Sequence, residues 1–237
     1  MPEHQPAILA VDTSASGCSA ALLYRGEVAE RLSVAPRQHT RLLMPMIREL
    51  LADAGLAIAD LDALAFARGP GSFAGIRIAT GVVQGLAWAA DRPVVPVSSL
   101  AAVASAALAA GDSDQVAVAF DARMNEVYWC CYQRSDTGPK ALCDEQVLPP
   151  GELVLPNAGG SWMGVGSGWT TGDVPGEGMP REVVAAMSAI EGEWIPRASD
   201  VVRLAARALA EGEAVSAARA QPVYVRDEVT WQKLPGR

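Results

Sequence analysis

The chain opens on an apolar run at residues 7–11 that stops at Asp12-Thr13-Ser14. A second apolar run, 18–24, follows a turn at Gly17, and after Arg25-Gly26 the stretch Glu27–Val34 alternates apolar and polar positions. Such runs predict strands, and their short connections predict an antiparallel meander. The period then changes. Leu42, Leu43, Met46, Ile47, Leu50, Leu51 and Ala54 recur at helical spacing, which predicts a helix over His39–Ala54 closed by Gly55. Pro45, inside that pattern, predicts a kink or a later start. A strand at 61–66, a Gly-Pro-Gly turn, a helix over 72–90, a strand at 94–97 and an alanine-rich helix over 100–110 complete the first half.

That order, βββαβα, predicts a mixed sheet with helices on its faces, the pattern of a ribonuclease-H-like half-domain. The second half starts the same way. Residues 115–120 form an apolar run ending in Asp121, 127–133 a second, 134–138 a turn and 141–148 a third strand. Placing Asp12 on Asp121 also places Cys18 on Val127 and Arg25 on Arg134, an offset of 109 residues. A duplicated, two-lobed α/β protein is therefore expected, with lobes at 1–112 and 113–237. Part of the C-terminal segment has room to return to the first lobe. The second lobe looks degenerate. Residues 157–169 are glycine-rich, 170–180 a loop, and Ser199 is the expected cap of a helix reaching Gly212. Residues 222–237 read as a short strand and a tail.

Composition narrows the chemistry. Of 237 residues, 43 are Ala and only 5% are aromatic, so much of the apolar share has small side chains. The two His, His4 and His39, leave too few ligands for a multi-His metal site, and a Ser-His-Asp hydrolase would have to use His39. A net charge of −8 argues against unaided binding of a nucleic acid backbone. Cys18, Cys130, Cys131 and Cys143 contain no C-x-x-C pair, so reduced thiols are expected. The polar start gives no signal peptide, and no run reaches the ~18 apolar residues of a membrane span.

Five constellations stand out. Asp12-Thr13-Ser14 at a strand end could hold phosphate or hydrated magnesium, or simply form a turn. Its counterpart Asp121 is followed by Ala122 to Asn125 without Gly or hydroxyl, so the second half of a phosphate clamp looks lost. In Arg68-Gly69-Pro70-Gly71-Ser72, Pro70-Gly71 fits a type II turn and Ser72 an N-cap; with Arg68 and Arg77 near, the helix start could bind an anion. No Lys precedes the Ser, so it is not a Walker loop. The following helix is apolar nearly all round: Ile78, Val82 and Ala89 make one stripe, and Gly81, Gly85 and Ala89 sit four apart. Together with the helix carrying His39, Leu42, Leu43, Met46, Ile47 and Leu50, it predicts a partner interface or a shared internal core. Residues 31–48 hold four Arg and no acid, a solvated face or a rim for an acidic partner or RNA. Gly164 to Trp169 fails as a dinucleotide fingerprint and reads as a strand-to-loop bend.

In order along nearly the whole chain, ILAVDTSASGCSAAL, QHTRLLMPMIRELL, RGPGSFAGIRIATGVVQGLA, VVPVSSLAA, FDARMNEVYW, GVGSGW and PVYVRDEVTWQK closely resemble the TsaB (YeaZ) family. The resemblance implies the two-lobed actin, sugar-kinase and heat-shock-ATPase fold with duplicated ribonuclease-H-like lobes. It also implies a non-catalytic, cytoplasmic subunit of the bacterial machine that places a threonylcarbamoyl group on the adenosine beside the anticodon of tRNA. Such a subunit binds the TsaD-like catalytic subunit through the two helices above and helps recruit a TsaE-like ATPase. It meets tRNA only through the complex, touches no membrane and pairs as a homodimer when alone. No cofactor is required of it, with ATP or ADP placed at the partner interface. The H-x-x-x-H metal motif of TsaD-like relatives is reduced here to His39 followed by Leu43, and Ala74 stands where the family's motif leads one to expect Thr. The alternative is a nucleotide-binding kinase or ATP hydrolase of the same fold.

Overall fold

The computed structural model describes residues 5–35, 37–111, 113–156 and 159–226. His4 and the tail at 227–237, including the whole DEVTWQK end, lie outside the described residues. β1 (Ile8–Asp12), β2 (Gly17–Tyr24) and β3 (Glu27–Val34) form the expected antiparallel meander. β4 (Ala63–Gly69) and β5 (Val94–Ser98) join in parallel on the other side of β1, giving the order β3-β2-β1-β4-β5. β1 is buried on both faces, which is why it reads as a continuous apolar run. β3 lies at the edge, with Glu27, Ala29, Leu32 and Val34 exposed, so its apolar positions do not all face the core.

α1 (His39–Ala54) and α2 (Phe73–Ala90) cover one face of this sheet. Leu43, Ile47 and Leu50 from α1 and Ala79, Val83 and Ala87 from α2 pack with Leu9, Val11, Leu64 and Phe66. Each large aliphatic side chain buried there contributes about 1.5–3 kcal/mol. α1 runs unbroken through Pro45, which lies on its exposed side, and Gly55 closes it in the left-handed conformation.

β6 (Gln115–Arg123), β7 (Glu126–Ser135), β8 (Gly138–Ala141), β9 (Gln146–Leu148), β10 (Trp162–Val165) and β11 (Met187–Glu191) form the second sheet. Its order, β11-β10-β6-β7-β8 with β9 also paired to β7, repeats the first. β6 takes the place of β1, and β10 adds in parallel beside it as β4 does beside β1. The duplicated two-lobed fold expected from the 109-residue offset is thus present. The long helix α2 has only a five-residue counterpart, α4 (Arg181–Ala185), between β10 and β11.

Two helices lie between the sheets, and they are exchanged. α3 (Ser99–Ala110) follows β5 of the first sheet, yet Leu100, Val103, Ala107 and Leu108 pack on Val116, Val118 and Phe120 of the second. α5 (Ala198–Ala210) follows β11 of the second sheet, yet Ala198, Val201, Val202 and Ala205 pack on Ile8, Ala10, Ala63 and Ala65 of the first. The alanine-rich composition finds its structural use here, since small side chains let α5 lie close to the sheet.

Four expectations change. The third strand of the second half is split into β8 and β9, both on β7, with a bend at 142–143. Pro70-Gly71 is not a type II turn: the Gly69–Pro70 peptide is cis, and the positive φ falls on Gly69 rather than Gly71. Ser199 is not the cap of α5. Arg197 holds that position without a side-chain bond, while Ser199 lies inside the helix and its N–H donates to Glu30 Oε1 at 2.9 Å. Residues 222–226 form no strand, although Val223 N–H donates to the Arg68 carbonyl at 2.8 Å.

Candidate functional site

The loop after β1 and the loop before α2 form one interlocked unit. Ser72 N–H donates to the Ser14 carbonyl at 2.7 Å, and Thr13 Oγ1 donates to the Gly75 carbonyl at 2.6 Å. A Cβ at Gly71 would lie 2.3 Å from the Ser14 carbonyl oxygen, and one at Gly75 only 1.9 Å from that of Thr13. Both positions therefore admit only glycine, because backbone meets backbone there. Sequence reasoning treated the two motifs separately, and the spacing of Gly71 and Gly75 was the signal that they meet.

The consequence for Asp12 is burial. Asp12, Thr13 and Ser14 are all inaccessible to solvent. Asp12 Oδ1 accepts from Ser14 N–H at 3.1 Å and from Ser14 Oγ at 2.5 Å, while Oδ2 is enclosed with no hydrogen-bond partner. Burial pushes its carboxyl up to about 7, against the pull of the Ser14 bonds and with a small push from the Glu30 charge. Asp121 sits differently. It is partly exposed, pairs with Arg123 at 2.8 Å and starts a hairpin in which Arg123, Met124 and Asn125 all have positive φ. No hydrogen bond or ion pair joins Asp12 to Asp121 among the described residues. Two open clefts lie elsewhere among the described residues, one of about 660 Å³ beside Gln115 and Met163, the other of about 630 Å³ beside Arg68 and Cys143.

At the start of α2, Ser72 is the expected cap, its Oγ accepting from Gly75 N–H at 3.3 Å. The two cations expected to help bind an anion there are engaged. Arg77 lies 3.2 Å over the Phe73 ring, with Tyr224 beyond, and Arg68 pairs with Glu145 at 3.3 Å. In the basic stretch at 31–48, Arg31 pairs with Glu49 and Asp53 of α1, at 3.4 and 2.5 Å.

The expected helix surface divides into two sets. Leu43, Ile47 and Leu50 are 0–1% exposed; they belong to the core beneath the surface and do not line it. Their period is the one that buries α1 against the sheet, which a sequence pattern cannot separate from a partner-facing stripe. Leu42, Met46, Ile78 and Val82 are half-buried between α1 and α2. His39 is half-buried too, with Nε2 enclosed and unbonded. Gly81, Gly85 and Ala89 are exposed, and nothing lies within 4 Å of a Cβ placed at Gly81 or Gly85. Trp88, which sequence reasoning missed, is 75% exposed one turn beyond Gly85. Positions 74, 77, 81, 85 and 88 thus form one solvent-facing stripe.

The other flank of α2 is covered by the C-terminal segment. Ala217 and Ala220 join the core there, and Gln84 Nε2 donates to the Ala220 carbonyl at 2.6 Å. By length and composition alone α2 could cross a membrane, but Arg77, Thr80 and Gln84 interrupt its apolar run. Its inner positions pack on the sheet. What remains is an outer face that is apolar apart from Arg77. Among the described residues, no group of three or more His, Cys, Asp or Glu could hold a metal ion.

Comparison with known proteins gives a consistent picture. The family model described as "TsaD: tRNA N6-adenosine threonylcarbamoyltransferase" matches residues 32–169. The tRNA threonylcarbamoyladenosine biosynthesis protein TsaB of Escherichia coli K12 is 40% identical over 97% of this chain and 99% of its own. Its namesake in Haemophilus influenzae is 41% identical over 97% and 98%. Among solved structures, YeaZ from Pseudomonas aeruginosa is 45% identical with a TM-score of 0.86, covering 92% of this chain and 99% of that one. A Pseudomonas aeruginosa protein described as similar to the peptidase YeaZ superposes with a TM-score of 0.87.

Proposed function

The chain belongs to the TsaB (YeaZ) family, and from that membership we propose that it serves tRNA threonylcarbamoyladenosine biosynthesis as a non-catalytic subunit. In this reading it binds a TsaD-like catalytic subunit through the outer face of α2 and the adjoining side of α1. It helps recruit a TsaE-like ATPase, works in the cytoplasm, meets tRNA only through the complex, and uses the same face to pair with a second copy when alone. The lobe at 1–112 is the partner-binding unit and the lobe at 113–237 its support. Any ATP or ADP belongs to the partner interface, and the chain itself requires no cofactor.

One observation carries the proposal: the open stripe of Ala74, Gly81, Gly85 and Trp88 on α2, apolar apart from Arg77, which lies over the Phe73 ring at the start of the helix. An apolar face of this kind gains by meeting another apolar surface. Glycines at four-residue spacing let a second helix come within the shorter range of packing distances. An exposed Trp at the end of the stripe suits an anchor, the residue type that most often dominates interface energetics. The residues Leu43, Ile47 and Leu50 act from below, holding α1 in place. The buried Asp12-Thr13-Ser14 loop favours the scaffold reading over the kinase or hydrolase alternative, because a phosphate would have to displace the Thr13–Gly75 and Ser14–Ser72 bonds.

Reconstitution of tRNA threonylcarbamoylation with and without this chain tests the reading. The modification is expected to depend on the chain, while the chain alone hydrolyses no ATP. Asp12-dependent ATP hydrolysis by the purified chain would establish the alternative instead. Val82→Glu, which places a charge on the α1–α2 side, is expected to stop association with the TsaD-like subunit.

A further inference from the structure

Three of the four cysteines meet where β7 passes the bend between β8 and β9. Cys130 and Cys131 are neighbours on β7 and point to opposite faces, into separate cores. Cys143, on the bend, reaches both. Its Sγ lies 4.0 Å from Cys130 Sγ and accepts the backbone N–H of Cys131 at 3.3 Å, while the Cys130 thiol donates to the Cys143 carbonyl at 3.3 Å. Cys130 is fully buried. Cys143 is half-buried and lines the cleft of about 630 Å³, with Arg68, Tyr132 and Glu145 among its neighbours. One sulfur is therefore open to a small reagent, and a second waits behind it.

From this arrangement we propose that Cys130 and Cys143 form a peroxide-reactive dithiol, in which Cys143 is the attacked sulfur and Cys130 resolves it as an intramolecular disulfide. Turned from the Cys143 carbonyl toward the Cys143 sulfur, the Cys130 thiol, with the Cys131 N–H beside it, favours a negative Cys143 sulfur and lowers it below the usual thiol range. Burial and the negative neighbour keep Cys130 and Cys131 well above that range, so the proton stays on Cys130. In the first step the Cys143 thiolate attacks one oxygen of hydrogen peroxide. The O–O bond breaks, Cys143 becomes a sulfenic acid, and the other oxygen leaves as hydroxide and takes a proton to become water. In the second step the Cys130 sulfur attacks the Cys143 sulfur. The S–O bond breaks, and the hydroxyl leaves with the Cys130 proton as a second water. Two thiols lose two electrons and peroxide gains them.

A disulfide needs its sulfurs at ~2.05 Å, about half the present separation. The movement falls on residues 142–145, which belong to no strand, and the bond it puts at risk is Leu142 N–H to the Cys131 carbonyl at 2.8 Å. The same bend carries Glu145, whose carboxylate pairs with Arg68 at the end of β4 in the other sheet. Oxidation therefore fixes a segment that bridges the two lobes.

The experiment is titration of the full chain with hydrogen peroxide, followed by thiol counting, intact mass and peptide mapping under non-reducing conditions. The expected result is a fall from four thiols to two, a mass lower by two hydrogens, a mapped Cys130–Cys143 link, and full reversal by dithiothreitol. Cys143→Ser, at the more accessible position, should keep its remaining thiols. Cys130→Ser should leave Cys143 as a sulfenic acid trapped by dimedone, and circular dichroism confirms that each variant is folded. Four thiols retained after treatment, a link through Cys131 or Cys18, or an unchanged peroxide response in Cys143→Ser would each overturn the proposal.

Discussion

Replacing Asp12 by Asn tests whether the loop after β1 is a sealed structural element. In the native chain the carboxyl is wholly buried, and burial moves it from an ordinary 3.8 to about 7. Its native proton affinity thus exceeds its unfolded one, so the folded chain holds a proton that the unfolded chain releases. Stability contributed in this way is complete below about pH 4 and is lost as pH rises toward about 7, beyond which it changes no further. At about 1.4 kcal/mol per tenfold change in proton affinity, the loss is roughly 4 kcal/mol. Asp12→Asn keeps the acceptor for Ser14 N–H and Oγ but cannot ionise. Urea denaturation of both proteins from about pH 4.5 to about 8.5 should therefore give a stability difference that changes steadily with pH. The variant is about level or weaker at the acid end, where an unpaired amide costs ~1–3 kcal/mol, and gains on the wild type steadily as pH rises. Asp200, pushed by burial to about 6, adds a slope of the same sign, but to both proteins alike. Parallel curves, with a constant difference across the range, would refute the burial argument and reopen Asp12 as a solvated ligand.

Three further outcomes follow from the same geometry. Gly75→Ala forces a Cβ toward the Thr13 carbonyl oxygen and is expected to cost about 3 kcal/mol by denaturant midpoint. Gly81→Ala, six residues along the same helix with open space around it, is expected to stabilise by ~0.5–1 kcal/mol through helix propensity alone. Ser72→Ala removes the α2 cap bond to Gly75 N–H and is expected to cost about 1 kcal/mol in the same measurement.

Much of this fold was legible because its elements obey single periods. β3 came out at its observed bounds, although its apolar positions do not track its dry face, since Leu32 and Val34 are exposed. α1 came out at its observed bounds too, with Gly55 marking its end. The repeat of β1–β2 in β6–β7 was legible from Asp12 and Asp121 at strand ends. What stayed hidden depends on partners distant in sequence. Nothing local tells that Leu142 to Glu145 form a bend rather than continue a strand, because the bend is set by two strands pairing the same neighbour, β7. Ser199 looks like a cap, but Glu30 from β3 supplies the acceptor for the first turn of α5. On the candidate surface, Leu43, Ile47 and Leu50 shared a stripe with Leu42 and Met46, and only the packing separates core from surface. Trp88 was missed because its register follows the glycines rather than the apolar stripe.

The most direct test of the account is the affinity of the chain for a TsaD-like subunit, measured by calorimetry for the wild type and for Gly81→Leu. Position 81 faces solvent and nothing lies within 4 Å of a Cβ placed there, so the variant should fold with a melting temperature at least equal to the wild type. At a close helix contact the extra bulk should cost about 1–3 kcal/mol, a loss of roughly 5- to 150-fold in affinity. Wild-type affinity in the folded Gly81→Leu chain would contradict the assignment of the α2 face as the partner-binding surface.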